Sequence, residues 1–444
     1  MAKEHKIAIV GGGLAGLATA VALGSAEQSV TVYESRPFLG GRATSYPLNS
    51  ADENSPTIDN CQHVLLRCCT NLLDFYKRLE ARDRIQFHRE FYWIEPGGRM
   101  SIMRRGLLPA PLHFTESFAR LRFLSLSGKV AVASALLAVK YEYGKRTDLD
   151  RITMLEWLRE KNQPDQVIDR FWRQVLVSAI NEDLDRMAAS HGLQVFYLGF
   201  LARSDSYEMG IPNVPLAKLY SEDAWSRHRH VKIQHRKSVQ QVRIEDGRVI
   251  GVVVDGECIT ADAYVLAVPF ERVSTLVPEL GVDFSSFSHS PITGIHLWFD
   301  RPITNLPHAT LLDRTIQWMF NKKNGKHIQL VVSASRSLIE MPRAEVIELA
   351  LRELKDFFPK AAEAKLERAH VVKEVRATFS ASPGLEKQRP GSAAELPNLF
   401  LAGDWTHSGW PATMEGAVRS GYLAAEAIMQ SFGEPWKFLL PDVA

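Results

Sequence analysis

The stretch Lys6-Ile7-Ala8-Ile9-Val10-Gly11-Gly12-Gly13-Leu14-Ala15-Gly16 constrains this chain more than any other. A short apolar strand runs into a glycine loop, and the loop opens a helix. Such a turn predicts a site for a nucleotide pyrophosphate held without a metal. Gly11 permits the tight turn, Gly13 leaves room for the phosphates, and Gly16 lets the helix lie close to the strand. The first helical N–H groups, those of Leu14 and Ala15 among them, point at the anion. Leu14, Leu17, Ala18, Val21 and Ala22 form a helical apolar stripe. A second strand, Ser29-Val30-Thr31-Val32-Tyr33, ends at Glu34 with Ser35 beside it. That puts an acid about twenty residues past the loop, where a carboxylate can grip ribose hydroxyls. A glycine loop alone equally fits an ordinary βαβ turn. The order of strand, loop, stripe and acid is what favours the nucleotide. Arg36 could read a nicotinamide 2′-phosphate, but later residues argue against it.

A chain of 444 residues has the length of two or three folding units. With 45% hydrophobic and 23% charged residues, it is expected to be globular with a substantial core. Its net charge of +2 gives no sign of a nucleic-acid partner. The cysteines Cys61, Cys68, Cys69 and Cys258 form no C-x-x-C pair, so no metal site is expected. Their scarcity suits a reducing cytoplasm. The first strand begins within ten residues of Met1, so neither a signal nor a transit peptide is expected. The longest uncharged apolar run, Val130 to Val139, is too short to cross a bilayer.

Residues 1 to about 75 read as the first half of a nucleotide domain. From Arg99 to about Tyr220 helical patterning dominates, notably at Thr153 to Lys161, Val167 to Asn181 and Met187 to Ala202. From Val231 the texture becomes strand-like, with Asp246-Gly247 as a hairpin turn between Val239 to Ile244 and Val249 to Val254. Further strands are expected at Asp262 to Pro269, Gly294 to Phe299, Gln329 to Ala334 and Leu399 to Asp404. Helices are expected at Glu345 to Phe358 and Met414 to Ser431. The predicted fold class is α/β. A discontinuous Rossmann-like domain (1–75, 220–282 and 385–432) is interleaved with an α+β substrate domain (76–219 and 283–384). The cleft between them is the default ligand site.

Three features narrow the dinucleotide to FAD. In Gly40-Gly41-Arg42 the glycines let backbone approach a cofactor, and Arg42 can neutralise pyrophosphate charge. The late strand ends in Gly403-Asp404, where a carboxylate can accept from the ribityl hydroxyls of FAD. NAD has no ribityl chain. The last helix opens at Pro411-Ala412-Thr413-Met414-Glu415-Gly416, and its positive end can stabilise a reduced flavin. Taken singly, each block also fits a surface turn or a cap.

Together these blocks resemble the flavoprotein group that includes amine oxidases, protoporphyrinogen oxidase and carotenoid desaturases. Ala402-Gly403-Asp404-Trp405-Thr406, followed by Gly409-Trp410-Pro411-Ala412-Thr413-Met414-Glu415-Gly416-Ala417-Val418-Arg419-Ser420-Gly421, is more particular. With Asp59-Asn60-Cys61-Gln62-His63, it resembles the squalene-associated flavoproteins, the hydroxysqualene dehydroxylase family. His407-Ser408 departs from that pattern. The resemblance implies an FAD enzyme that converts hydroxysqualene to squalene on the bacterial route to hopanoids. It also implies that Val239 contacts the adenine end through its backbone.

Replacing an allylic C–OH by C–H requires a proton donor for the departing oxygen and exclusion of water. Asp59, His63, Glu415 and His407 are the candidates, each of which also fits a purely structural role. Trp405, Trp410, Tyr197, Phe196, Phe200 and Trp298 are candidates for an apolar tunnel, or for plain core. No second glycine fingerprint is present, so an external electron donor is expected. The stretch 99–146 holds nine basic residues, two acids and many apolar ones. It is a candidate for peripheral contact with the inner face of the cell membrane, through which the triterpenoid substrate would enter, or else a solvated helical cap. The alternatives are a phytoene-type desaturase, an amine oxidase and a non-catalytic flavin-binding partner protein. An amine oxidase would want a lysine near flavin N5, whereas Lys322, Lys323 and Lys326 are expected in a polar turn.

Overall fold

A computed structural model of the protein describes residues 3–49, 52 and 55–443. Its first sheet is five-stranded and parallel throughout. The strands run in the order Val231–His235, Ser29–Glu34, Lys6–Val10, Ala263–Leu266 and Leu399–Leu401. Every residue of Ala263–Leu266 and Leu399–Leu401 is buried, as expected for parallel strands covered on both faces. Strands far apart in the chain are therefore neighbours in this sheet.

The helix Leu14–Ser25 is buried over most of its length and packs against the last helix, Met414–Ser431. Small residues make that approach possible. A Cβ on Gly421 would stand 2.3 Å from the Ala15 carbonyl oxygen. The Thr19 hydroxyl joins the two helices, donating to the Ala15 and Gly421 carbonyls at 2.9 and 3.1 Å.

A second sheet has seven strands in the order Leu366–Phe379, His289–Phe299, His327–Ser333, Trp318–Lys323, His308–Leu311, Glu90–Ile94 and Met100–Arg104. It is antiparallel except where His308–Leu311 meets Glu90–Ile94. The strand Met100–Arg104 corrects the expectation of helix from Arg99 onward. Only Ser101 and Met103 of this strand face inward, a pattern short enough to be lost beside the helical run that follows. A three-stranded meander, Val239–Glu245, Arg248–Val254 and Glu257–Ile259, turns at Asp246 and Gly247, both with positive φ.

Helices fill the space between the sheets. One path runs through Asp165–Val167, a π-turn at Ile168–Trp172 and Arg173–Ile180. It stops at Asn181, whose left-handed backbone (φ 60°) reverses the chain. The Asn181 amide donates to the Ser290 carbonyl (3.0 Å) and the Thr378 hydroxyl (2.9 Å) and accepts from Ala334 N–H (2.8 Å), fixing this helix to the second sheet. A second path runs from Ala189–Phe196 into a π-turn at Tyr197–Leu201. Among the described residues no helix is long and apolar enough to cross a membrane.

Candidate active site

The glycine loop is closed by its own neighbours. Gly11 has φ +109°, and a Cβ there would lie 2.3 Å from the Ala267 carbonyl oxygen. A Cβ on Gly16 would lie 2.0 Å from Gly11 O, so helix and loop touch backbone to backbone. A Cβ built on Gly13 would meet, among the described residues, nothing nearer than the Gly41 Cα at 4.0 Å, which leaves one face open. No side chain caps the helix that begins at Leu14, so the first N–H groups, Leu14 and Ala15 included, are free for an anion. Gly40 donates to Gly12 O at 2.8 Å, which brings the Gly40-Gly41-Arg42 loop against the first. This floor of bare backbone fits a pyrophosphate.

Glu34 ends its strand with its carboxylate turned back to the loop. It accepts from Gly12 N–H and Arg36 N–H, both at 2.7 Å, and from the Ser35 hydroxyl at 3.2 Å. The acid expected to hold ribose also holds the loop. Val239 is buried at the start of the meander, just after Lys237, which donates from its N–H to Glu34 O (2.8 Å).

Arg42 and Asp404 meet. The guanidinium donates to Asp404 Oδ2 at 2.6 Å and to the Ala377 carbonyl at 2.8 Å. One side chain thus joins the cradle, the last strand's end and the second sheet. Gly403 is pinned by its N–H to the Ser420 hydroxyl (2.9 Å), and a Cβ there would meet the Trp405 indole at 2.2 Å. The last helix starts at Met414 with Thr413 as its cap, the Thr413 hydroxyl accepting from Gly416 N–H at 3.0 Å.

Beyond this cradle lies an apolar chamber lined by Phe91, Trp93, Trp318, Phe320, Leu198 and Met414, with Gln62 and Glu415 among its few polar groups. Of the aromatic residues proposed for a tunnel, Trp410 and Phe200 line it. Trp405 instead bonds Val268 O (2.9 Å), Phe196 packs on Trp172, and Tyr197 stacks on Tyr143. Trp298 stacks on His327.

Between cradle and chamber sits the segment Asp59–His63. Asn60 ties it to the arginine loop, donating from its side chain to Arg42 O at 3.2 Å. Asp59 is buried, with Oδ1 accepting from the Ser45 hydroxyl (2.7 Å) and Leu216 N–H (3.1 Å). Its Oδ2 meets the Lys322 ammonium at 3.0 Å, and that ammonium also donates to Gln62 Oε1 at 2.9 Å. Burial pushes the Asp59 carboxyl up, but Lys322, Ser45 and Leu216 together hold it below the usual carboxylate range.

Lys322 was not visible as a site residue in the sequence. It lies on the strand Trp318–Lys323, and the turn comes afterwards at Asn324 and Gly325. Of the three lysines, Lys322 and Lys323 end the strand and Lys326 closes the turn, its N–H donating to Lys323 O at 2.9 Å. The alternation Trp318, Phe320, Lys322 is the signal that could have singled it out, although the strand bulges between Asn321 and Lys323 and leaves Lys322 without a ladder partner. His296 and His327 lie nearby, 3.1 Å apart, and burial drives them down to about 3 and about 4. Both are neutral, which leaves Lys322 as the cation on Asp59.

The other proton-donor candidates are differently placed. Glu415 is fully buried and receives Asn71 N–H (3.2 Å), the Asn71 amide (2.9 Å) and Leu72 N–H (2.7 Å). It caps the start of the helix Thr70–Arg78, and burial raises its carboxyl to about 7. His63 bonds Cys61 O at 2.8 Å, and burial lowers it. His407 is 56% exposed and faces Glu386 at 3.3 Å, away from the chamber. Among the described residues no cluster of three metal-ligating side chains occurs.

Residues 14–429 match the family of flavin containing amine oxidoreductases. The chain is 27% identical to the zeta-carotene desaturase of Synechocystis sp., over 96% of this chain and 97% of that one. It is 26% identical to the 15-cis-phytoene desaturase of Synechococcus elongatus, over 96% of both. In fold it is similar to an oxidoreductase from Methanosarcina mazei, with TM-score 0.70 and 18% identity over 96% of this chain and 100% of that one. It is likewise similar to putrescine oxidase bound to putrescine, with TM-score 0.70 and 16% identity over 96% and 99%. The match across nearly the whole chain agrees with a glycine cradle open at Gly13 and a chamber beside it: the protein belongs to the flavin containing amine oxidoreductase family and is an FAD-dependent oxidoreductase.

Proposed function

We propose that this oxidoreductase reductively dehydroxylates an allylic prenyl alcohol, hydroxysqualene, to squalene. One observation carries the reading. The chamber is mostly apolar, and one of its few polar lining groups, Gln62, accepts from the part-buried Lys322 ammonium, which Asp59 also holds. A pure hydrocarbon has no use for a charge so close behind its chamber wall, and withdrawing it even partly from water is costly. An alcohol does, because its oxygen leaves as water only after gaining a proton.

Gly11, Gly13, Gly16, Glu34, Arg42 and Asp404 would hold FAD, which in its reduced form supplies a hydride. The aromatic walls orient the prenyl chain and exclude water. Lys322 offers its proton to the hydroxyl oxygen while Asp59 steadies the ammonium. With that proton the oxygen would leave as water as the C–O bond breaks, and the allylic carbon left behind is the centre to which reduced FAD would supply its hydride. The electrons come from an external donor.

A second reading, carotenoid-type desaturation, draws support from the desaturase relatives that span 96% of the chain. Product analysis separates the two. Chemically reduced enzyme with hydroxysqualene under anaerobic conditions is expected to yield squalene. Failure there, together with dehydrogenation of phytoene or zeta-carotene by the oxidised enzyme, would overturn the first reading. NADPH alone is expected not to bleach the flavin rapidly.

A further inference from the structure

We infer that the helix Leu126–Glu142 and the loop carrying Leu107 and Leu108 dock the protein on an anionic lipid surface. The helix is apolar on two sides. Val132, Ala135 and Val139 are buried in the core. On its outer side Leu126, Val130, Leu137 and Tyr141 are 80, 64, 57 and 67% exposed. With Ala133 they recur every three or four residues, so they form one stripe. A helix that faces only water carries charge there. Leu107 is fully exposed, Leu108 and Leu112 are half-exposed, and the loop is closed by Gly106 N–H on His113 O. Exposed apolar patches of this kind mark interaction sites.

Charge selects the occupant. Segment 99–146 carries nine basic residues against two acids. Arg105, Arg122, Lys140 and Lys145 are exposed and have no carboxylate partner among the described residues. Leucines flanked by free cations suit a bilayer rich in acidic headgroups, where apolar insertion and electrostatic attraction act together.

The surface also leads inward. The helix packs on Ala189–Phe196 and Tyr197–Leu201, whose other side lines the chamber through Gln194, Leu198 and Phe200. Tyr143 stacks on Tyr197 at 4.5 Å, and Phe114, at the base of the loop, packs on Phe200 at 6.2 Å. A prenyl ligand dissolved in the bilayer would enter beside this segment. That last step rests on the proposed function; the docking does not.

Sedimentation of the FAD-loaded full chain with vesicles tests the docking without substrate. Phosphatidylcholine is used alone or mixed with phosphatidylglycerol. The protein is expected to bind the mixed vesicles and to be released as salt rises. Lys140→Gln with Lys145→Gln is expected to weaken that binding by on the order of tenfold. Leu107→Ser with Leu137→Ser is expected to abolish it. Both variants should keep the flavin spectrum and the turnover of detergent-dispersed substrate. Equal retention of all three proteins, or no vesicle binding by a chain that instead dimerises through the same leucines, would overturn the docking.

Discussion

Lys322 stands between two acceptors and is about one-fifth exposed, so its pair with Asp59 is only partly screened. Lys322→Met leaves a buried carboxylate without its cation. The expected cost is about 2 kcal/mol of stability, recovered in part by adding Asp59→Asn, as thermal unfolding of the double-mutant cycle would show. Turnover should fall far more than stability, with flavin still bound. Asp59 also gives a pH signature. Its folded carboxyl is depressed, so its contribution is present above the unfolded value of about 3.9 and is lost as pH falls through the folded one. The Tm gap between the protein and Asp59→Asn should therefore narrow below about pH 4. Glu415 behaves oppositely. Its folded carboxyl, raised to about 7, binds a proton more tightly than the unfolded one. The stability it contributes is complete in acid and is lost as pH rises toward 7. Glu415→Gln should flatten the Tm profile across that range, and retained turnover would mark Glu415 as a cap rather than an acid.

At the scale of elements, two contacts decide where the site forms. The glycine-loop helix is set by backbone against backbone, with Gly16 over Gly11. Gly16→Ala cannot be accommodated by rotating a neighbour, because the obstructing atom is a carbonyl oxygen. Loss of bound FAD, read from the visible spectrum, is the expected result. The second contact is Asn181, which joins the helix behind Ser178 and Ala179 of the chamber to three positions around the second sheet. Asn181→Ala removes those bonds and leaves a left-handed residue without its side-chain ties. A loss of about 2–3 kcal/mol is expected in denaturant unfolding.

At the scale of the molecule, the chain's last described residues return to the chamber. Phe438 and Leu439 donate from their N–H groups to Glu426, and Leu440 donates to Asn71. Asp442 accepts from Trp410 Nε1 (3.0 Å) and Arg419 (2.9 Å), and Val443 packs with Cys68 and Leu198. This strap covers the side of the chamber lined by Cys68 and Trp410. Asp442→Ala should loosen it. The measurement is the rate at which a thiol reagent modifies Cys68 and Cys69, which is expected to rise severalfold if unlatching opens that wall.

The cradle was legible in the sequence because its signal is local. Glycines at fixed spacing, an acid at the end of the next strand, and Gly403-Asp404 before a helix each state a backbone requirement that only a few residue types meet. The parallel strands and the Asp246-Gly247 hairpin were readable for the same reason. Lys322 was not, because a lysine near Asn324-Gly325 looks like turn chemistry until the fold brings Asp59 and Gln62 to it. The partners of Arg42 and Glu415 were hidden as well, since each bonds residues hundreds of positions away. The sequence by itself determined which backbone could hold a dinucleotide. Only the tertiary structure decided which charge stands behind Gln62 at the wall of the oily chamber, because an ion pair across the fold is a fact about distance in space and leaves no period along the chain.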